Sequence, residues 1–383
     1  SIYDGISVKV QVLCFHPLHM EAKKQPNRMT YGNYLRLEEM LKLQEGPSDY
    51  SPTPCNDETH FIIVHQVFEL WFKLVLTELK QIHYLMSSEH INEDTMPKIV
   101  HHLKRVSAVF DLMSQQWKVM ETLTPQDFLS FRDRLGTSSG FESWQLRQIE
   151  IILGLEHQQR DAGMDPLGHM EKLEREGKIS SQVLSDFTTV LAAPSLNELL
   201  KKWLHRTPIN GSFVGDVDDD RITIDYIESH LSAMNKHSDT VIEHFESIGH
   251  GDSISLRERL EKSVLNAKDF LRPEGKVSRS RAGLLFIESY RELPLLAWPR
   301  VLIDSFVELE ESILLFRNSH ARMVERMIGR RMGTGGSSGV DYLDATLKYR
   351  IFVDLWTVRT ILVRRDLLPN VLNSEFYGFS SQR

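Results

Sequence analysis

Residues 57–73 read DETHFIIVHQVFELWFK and are the most informative stretch of the chain. Residues 61–86 contain neither glycine nor proline, and their first turns are apolar nearly all round. Asn56 and the acids after it form a helix start, because asparagine caps free N–H groups and acids suit the positive helix end. We therefore expect a long helix that runs through a core. Charged side chains such as Lys73 and Glu78 interrupt the apolar sequence of this helix, which excludes a membrane span.

Most of the remaining chain repeats this helical period. Apolar residues recur at helical spacing, and the 14 prolines and 21 glycines fall mainly between the periodic segments. Strand-like alternation is absent, as is any repeat of about 20–50 residues. These patterns predict an all-α fold, with further helices over residues 31–43, 95–122, 125–135, 141–155, 181–206, 223–249, 254–271, 299–330 and 340–365.

The domain organisation follows from where the period is weak. Residues 1–28 have no clear period, so we predict an N-terminal arm there and a single all-α domain over residues 29–383. Residues 156–295 are more polar, and we interpret them as a more variable helical insertion within that domain. The acidic stretch 211–221 is interpreted as a solvated loop rather than a metal site.

The composition excludes several classes of protein. Charged residues make up 26% and hydrophobic residues 41%, which is ordinary globular usage and not that of a disordered or fibrous chain. Acidic residues outnumber Lys and Arg by 53 to 45 without any basic block, which disfavours binding to nucleic acid. Two cysteines are too few for a disulfide framework, and no signal peptide is visible. We expect a soluble, cytoplasmic protein that binds neither nucleic acid nor a membrane.

Two of the 16 histidines lie on apolar helix faces. His65 has phenylalanines at positions 61, 68 and 72, and His320 is surrounded by aliphatic, phenylalanine and methionine side chains at helical spacing. Either one alone could be an ordinary core histidine. Two such helices in one all-α chain favour a flat apolar cofactor held by one neutral histidine, which is how haem is commonly bound. The sequence has no CxxCH motif, so covalent attachment of a haem is excluded.

Other metal sites fit the sequence less well. There is no HExxH motif, and no histidine has a glutamate three residues before it, so the helical di-iron pattern is missing. His19 with Glu21, or His169 with Glu171, could begin a triad of two histidines and one carboxylate. Such short matches arise by chance in a histidine-rich chain.

Residues 124–127 (TPQD) are a second helix start, with a capping hydroxyl, a proline at the first helical position and an acid at the third. The helix that follows carries Phe128 and Arg132 four residues apart, and hence on one face. This pair suits an aromatic ligand with a carboxylate, because arginine binds carboxylates through two hydrogen bonds. The alternative is a core phenylalanine beside an arginine in a surface ion pair. The small residues 136–140 (GTSSG) that follow allow a ligand to approach closely.

Residues 333–339 (GTGGSSG) are rich in glycine and follow the His320 helix directly. They match neither the phosphate-binding P-loop nor the dinucleotide-binding fingerprint. Their N–H groups and hydroxyls can still bind carboxylate or ammonium groups. The segment is either a flexible loop or a lid over the pocket of His320.

These motifs together resemble those of the tryptophan 2,3-dioxygenase family. The resemblance is strong over residues 29–155 and 296–365, weak over 156–295 and absent before residue 29. The matching segments occur in the family's order, and they are 31–35 (YGNYL), 57–66 (DETHFIIVHQ), 69–73 (ELWFK), 127–128 (DF), 131–132 (FR), 139–141 (SGF), His320 with 325–329 (ERMIG), and 333–339.

The resemblance implies an all-α protein of the tryptophan/indoleamine dioxygenase type, with haem b between core helices. Such an enzyme uses O₂ to open the indole ring of L-tryptophan and gives N-formylkynurenine. By the resemblance, His320 is the proximal iron ligand and the distal His65 faces the indole N–H. Phe61 and Phe128 line the indole pocket, and Arg132 binds the substrate carboxylate.

The resemblance also implies a homotetramer, built as a dimer of dimers, in which subunits share their sites. Thr334 would bind the ammonium or carboxylate end of the substrate, and Trp117 and Ser139 would lie near the haem. Three further residues would enter the pocket of a neighbouring subunit, namely Tyr31, Tyr34 and Leu35.

The sequence departs from the family at a few pocket positions, among them His60, Phe68 and Glu142. A second hypothesis is therefore a related haem oxygenase that acts on a substituted tryptophan and inserts one oxygen atom to give an oxindole. A third is a haem sensor without catalysis. The carboxylate-binding residues argue against the sensor, because a sensor does not need them.

Overall fold

The computed structural model describes residues 29–46, 50–136, 138–155, 165–249, 253–333 and 339–378. The arm predicted for residues 1–28 lies outside these ranges. Within them all regular secondary structure is helical, apart from one isolated bridge between Ile209 and Ser212. The prediction of an all-α fold is confirmed. None of the described helices combines the length and the apolar character that a membrane crossing requires.

The chain divides into two compact units. The first comprises Ser1–Ser87, Arg105–Pro194 and Glu311–Tyr349, and the second comprises Ser88–Lys104, Ser195–Glu310 and Arg350–Arg383. The expectation of a single domain over residues 29–383 stays a prediction. The α-helices of the described residues are, in order, α1 (Tyr31–Leu35), α2 (Leu37–Met40), α3 (Asn56–Met86), α4 (Met96–Met120), α5 (Pro125–Arg132), α6 (Trp144–Leu153), α7 (Pro166–Arg175), α8 (Ser181–Ala192), α9 (Leu196–His205), α10 (Asp219–Ser247), α11 (Ser253–Leu271), α12 (Arg279–Ser289), α13 (Ala297–Ile328), α14 (Val340–Thr346) and α15 (Val353–Thr360).

Helix α3 carries much of the core of the first unit. Asp57 and Glu58 lie in its first turn, where the helix dipole favours negative charge. The helix packs against α5 and α6. Ile63 and Leu70 are exposed, so its first turns are not buried all round as the sequence suggests. Its buried apolar residues recur at three- and four-residue spacing, and include Val64, Phe68, Phe72, Val75, Leu76 and Leu79.

Three predicted helices are broken in the structure. The helix expected over 31–43 is interrupted at Arg36, which has a left-handed backbone with φ of 52°. The helix expected over 181–206 becomes α8 and α9, because Pro194 lacks an N–H and disfavours a helical residue before it. Helix α9 then begins with a capping box formed by Ser195 and Glu198. The segment expected over 340–365 is divided into α14 and α15.

Helix α12 lies in the core of the second unit, although the sequence does not predict it. Its residues 282–287 are buried on every side, so the amphipathic pattern of a surface helix is missing. The helix packs against α9 and α15. Gly283 permits this packing, because a Cβ there would lie 2.5 Å from the Leu204 carbonyl oxygen of α9.

A buried ion pair joins α10 to α12 in the second unit. Arg279 donates to both carboxylate oxygens of Asp219, at 2.7 and 2.9 Å, and to the backbone carbonyls of His205, Thr207 and Ser212. Asp219 is only 4% exposed, so the interpretation of this acidic stretch as solvated is wrong for that residue. A buried guanidinium is stable only when it has both an ionic partner and hydrogen-bond acceptors for its remaining N–H groups, as Arg279 has here.

Candidate functional site

A cavity of about 700 Å³ opens in the first unit, between α3, α4, α5, α6, α13 and α14. Its volume falls within the range of cofactor and small-molecule sites. Seven of the residues singled out in the sequence line it, namely Phe61, His65, Trp117, Phe128, Arg132, Ser139 and His320. His60 does not line it, although it precedes Phe61 directly.

One wall of the cavity is formed by Phe61 and His65, one turn apart on α3. Their ring centroids lie 4.1 Å apart, and His65 Nδ1 lies 2.8 Å from the Phe61 carbonyl oxygen. A carbonyl can only accept, so the proton sits on Nδ1 and Nε2 keeps its lone pair. Burial lowers the pKa of His65 from its ordinary value, and the hydrogen bond to Phe61 offsets this only in part. The ring is therefore a neutral hydrogen-bond acceptor at physiological pH.

Helix α5 forms the adjacent wall. Thr124 caps it as predicted, accepting a hydrogen bond of 3.2 Å from the Asp127 amide. The Phe128 ring lies 5.8 Å from that of Phe61, so the two helices meet through aromatic contact. Arg132 also faces the cavity, and its Nη2 donates to the backbone carbonyl of Met332. A guanidinium thus lies at the end of an aromatic pocket.

His320 enters the cavity from α13. Its ring stacks on the Trp117 indole with centroids 4.5 Å apart and an interplanar angle of 8°. The buried Trp117 Nε1 has no hydrogen-bond partner within the described residues. Burial, with smaller contributions from His65 and Arg147, lowers the pKa of His320 to about 4. His320 is therefore a neutral imidazole, the form that binds a metal.

Aromatic rings surround the Trp117 and His320 stack. Phe68 lies against the other side of Trp117, with ring centroids 4.2 Å apart. Phe316 lies one turn before His320 and contacts Trp117 as well as Phe68. This half of the cavity is apolar and excludes water.

A group of buried charges also lines the cavity, and the sequence analysis did not identify it. Arg147 Nη1 lies 3.0 Å from Glu150 Oε2, and Arg317 Nη2 lies 3.5 Å from Glu150 Oε1. Both arginine side chains are 11% exposed, and Arg147 Nε is buried without a hydrogen-bond partner in the described part of the chain. Both arginines line the cavity, and guanidiniums bind anionic ligand groups. The position of Arg317, one turn before His320, was the available signal in the sequence.

The remaining lining comes from the segment before α6 and from the ends of the glycine-rich loop. Ser139 caps the turn that starts at Gly140, where its hydroxyl accepts from the Phe141 amide at 3.3 Å. Glu142 lines the rim and pairs with Lys178 at 3.1 Å. Gly333 and Gly339 reach the cavity, whereas Thr334 lies outside the described residues.

Three predicted site residues do not reach the cavity of their own chain. Tyr31, Tyr34 and Leu35 lie on α1 and are 75%, 73% and 40% exposed. None of them lines the cavity. No group of three or more His, Cys, Asp or Glu side chains that could hold a metal ion occurs in the described ranges. His169 and Glu171 therefore find no third ligand there.

The family profile and the relatives found by comparison with known proteins carry the same family name. The profile of the tryptophan 2,3-dioxygenase family matches residues 19–362. The chain is 42% identical over 366 residues to tryptophan 2,3-dioxygenase 2 of Ralstonia nicotianae, which covers 92% of this chain and 98% of that protein. It is 40% identical over 369 residues to tryptophan 2,3-dioxygenase of Sorangium cellulosum, with 92% and 87% covered. For the enzyme of Anopheles gambiae the identity is 33% over 357 residues, with 90% and 88% covered.

Proposed function

The chain belongs to the tryptophan 2,3-dioxygenase family, and from that premise we propose that it cleaves the indole C2–C3 bond of L-tryptophan with O₂. The product is N-formylkynurenine, which contains both oxygen atoms. The observation that carries this proposal is that His320, Phe61, His65 and Arg132 line one and the same cavity. That arrangement provides a metal ligand and an aromatic carboxylate site side by side.

The residues fit haem b as the cofactor. The neutral His320 would ligate the iron, held in orientation by the Trp117 stack. Arg147 and Arg317 would pair with the propionate groups, because both line the cavity and guanidiniums bind carboxylates through two hydrogen bonds. Ser139 would lie near the cofactor edge. When bound in the ferrous form, the haem supplies the site at which O₂ binds and is activated.

The other residues of the cavity bind and orient the substrate. Phe61 and Phe128 would line the indole pocket, and Arg132 would bind the carboxylate through two hydrogen bonds after releasing the Met332 carbonyl. His65 Nε2 would accept a hydrogen bond from the indole N–H, and its lowered pKa keeps that lone pair available. The aromatic lining excludes water, and much of the rate enhancement comes from this positioning. Thr334 would contact the ammonium or carboxylate end.

The protein would act as a homotetramer, a dimer of dimers. Tyr31, Tyr34 and Leu35 form an exposed apolar stripe on a short helical segment, and such a stripe favours burial against another surface. In the tetramer they would cover the cavity of a neighbouring subunit. We also propose a cytoplasmic location, with neither nucleic acid nor a membrane as a partner.

The decisive experiment is to mix the ferrous, haem-loaded protein with L-tryptophan and ¹⁸O₂ and to measure the product mass. Incorporation of two labelled atoms supports the dioxygenase. Incorporation of one atom, with an oxindole as product, would instead indicate the monooxygenase reaction. A protein that binds haem and L-tryptophan but gives no product would be a sensor.

A further inference from the structure

Three polar side chains, of which Glu58 is buried and the other two are partly exposed, form a cluster that does not line the cavity. Glu58 lies in the first turn of α3 and is 1% exposed. Arg134 lies in the 3₁₀ turn that follows α5, and its Nη1 is 2.8 Å from Glu58 Oε2. The Tyr50 hydroxyl donates to Glu58 Oε1, and its ring lies 4.9 Å below the Arg134 guanidinium. None of the three is among the residues that line the cavity.

The cluster joins three separate segments of the first unit. Arg134 Nη2 also donates to the backbone carbonyl of Pro52, so the loop before α3 is bound to the segment after α5. A buried carboxylate such as Glu58 is stable only while its charge is paired, and both of its partners come from other segments. Burial, together with the hydrogen bond to Glu58, raises the pKa of Tyr50 and keeps its hydroxyl a donor. Displacement of the segment that carries Arg134 would therefore leave the Glu58 carboxylate without its charged partner, and displacement of the Tyr50 segment would remove a hydrogen bond from it.

The same two helices carry the proposed substrate site. Glu58 lies three residues before Phe61, one turn away on α3, and Arg134 lies two residues after Arg132. The Phe61 ring lies 5.7 to 5.8 Å from those of Phe131 and Phe128, so aromatic contact is the other link between α3 and α5 here. Aromatic pairs adopt several favourable arrangements of their rings, and the Arg134–Glu58 pair adds an electrostatic contact of 2.8 Å between the same two segments.

We propose that Glu58 and Arg134 are positioning residues that set the place of Arg132 relative to the Phe61 and His65 wall, and thereby select indoles that carry a carboxylate on the side chain. This inference rests on the proposed function of Arg132. The Tyr50 hydroxyl assists by holding Glu58 in place. The effect is on selectivity, because Phe61 and His65 lie on α3 and Arg132 lies at the end of α5, so that the cluster fixes the distance between the α3 wall and the carboxylate-binding guanidinium.

The test compares two ligands in the haem-loaded ferric protein. Indole-3-propionate carries the carboxylate and 3-methylindole lacks it, and the affinity of each is measured by the change in haem absorbance. Arg134→Lys keeps the charge but loses the planar guanidinium geometry. We expect it to weaken binding of indole-3-propionate by about 10- to 100-fold, since misplacement by an ångström has effects of this size. Binding of 3-methylindole should change by less than about threefold.

A matched control is available in the same unit. Arg105 Nη1 lies 2.7 Å from Glu78 Oε1, Glu78 is 6% exposed, and neither residue lines the cavity. Arg105→Lys should lower thermal stability to a similar extent while leaving the ratio of the two affinities unchanged. If Arg105→Lys reduces that ratio as strongly as Arg134→Lys, the effect is one of general stability and the inference is wrong.

The outcomes separate the inference from the proposed function. A wild-type preference for indole-3-propionate that persists in Arg134→Lys refutes the positioning role and leaves the role of Arg132 intact. Absence of any preference in the wild type refutes the role of Arg132 and the inference with it. If Arg134→Lys does not fold, Tyr50→Phe removes one hydrogen bond to Glu58 and should shift the ratio in the same direction by a smaller factor. An unchanged ratio in that variant would refute the inference.

Discussion

Replacement of Arg132 by alanine tests the most specific part of the proposed function. In the structure without substrate, its guanidinium donates to the Met332 carbonyl, so substrate binding exchanges that bond for two bonds to a carboxylate. Hydrogen bonds that involve charged groups contribute about 1.5–3 kcal/mol each. Two gained and one lost leave a net of about 1.5–3 kcal/mol, which corresponds to roughly 10- to 150-fold in the Kd of L-tryptophan.

The assay is equilibrium binding of L-tryptophan and tryptamine to the haem-loaded protein, followed by absorbance. Tryptamine lacks the carboxylate, so its affinity should be the same in wild type and Arg132→Ala. Haem content should be unchanged, and thermal stability should fall only by the loss of one backbone hydrogen bond at a half-buried position. Normal L-tryptophan binding by the variant, or an equal loss for both ligands, would refute the reasoning that Arg132 binds the carboxylate.

Three further expectations follow from the structure. His320→Ala should purify largely without haem while His65→Ala keeps it, and equal haem loss, measured by absorbance, would contradict the assignment of the iron ligand. Asp219→Asn should lower the free energy of unfolding by about 3–5 kcal/mol at pH 7, because it leaves Arg279 buried and unpaired. Burial alone would raise the pKa of Asp219, but the hydrogen bonds from Arg279 outweigh this effect and lower the pKa. The stability that the Asp219 carboxylate contributes is therefore present above about pH 4 and is lost on acidification. Denaturant unfolding at neutral and at acidic pH should show less acid sensitivity in the variant than in the wild type. Mixed oligomers of Tyr34→Ala and Arg132→Ala chains should recover activity if subunits share sites, and no recovery despite proven mixing would contradict sharing.

Residue periodicity predicts the fold class here because most helices have one buried and one exposed face. α3 is the clearest case, since its buried residues recur at helical spacing over the whole element. The same argument fails for α12, which is buried all round and therefore shows no polar face. It also fails at Arg36, because a left-handed residue inside an amphipathic pattern leaves no signal when the residue is not glycine.

The candidate site divides in the same way. Phe61, His65, Phe128 and Arg132 are visible in the sequence because each lies on a local face with its neighbours. The group of Arg147, Glu150 and Arg317 is not, because its members come from α6 and α13 and become close only after folding. The pair of Glu58 and Arg134 cannot be recognised in the sequence for the same reason, because its members come from different segments. In the sequence Glu58 is an ordinary acidic residue of a first helical turn. Local patterns thus locate ligand-facing residues, whereas charge pairs between segments need the structure.

Burial in one cavity prepares both histidines for different tasks. A protonated His65 would have no lone pair for the indole N–H, and a protonated His320 would have none for iron. Burial is the largest cause of the lowered pKa in both, so each stays neutral at a pH where an exposed histidine is partly charged. The two rings differ in their contacts, since the Phe61 carbonyl fixes the proton of His65 whereas Trp117 holds His320 only by stacking. The stack with Trp117 fixes the plane of the His320 ring, and the neutral imidazole keeps a lone pair for a metal.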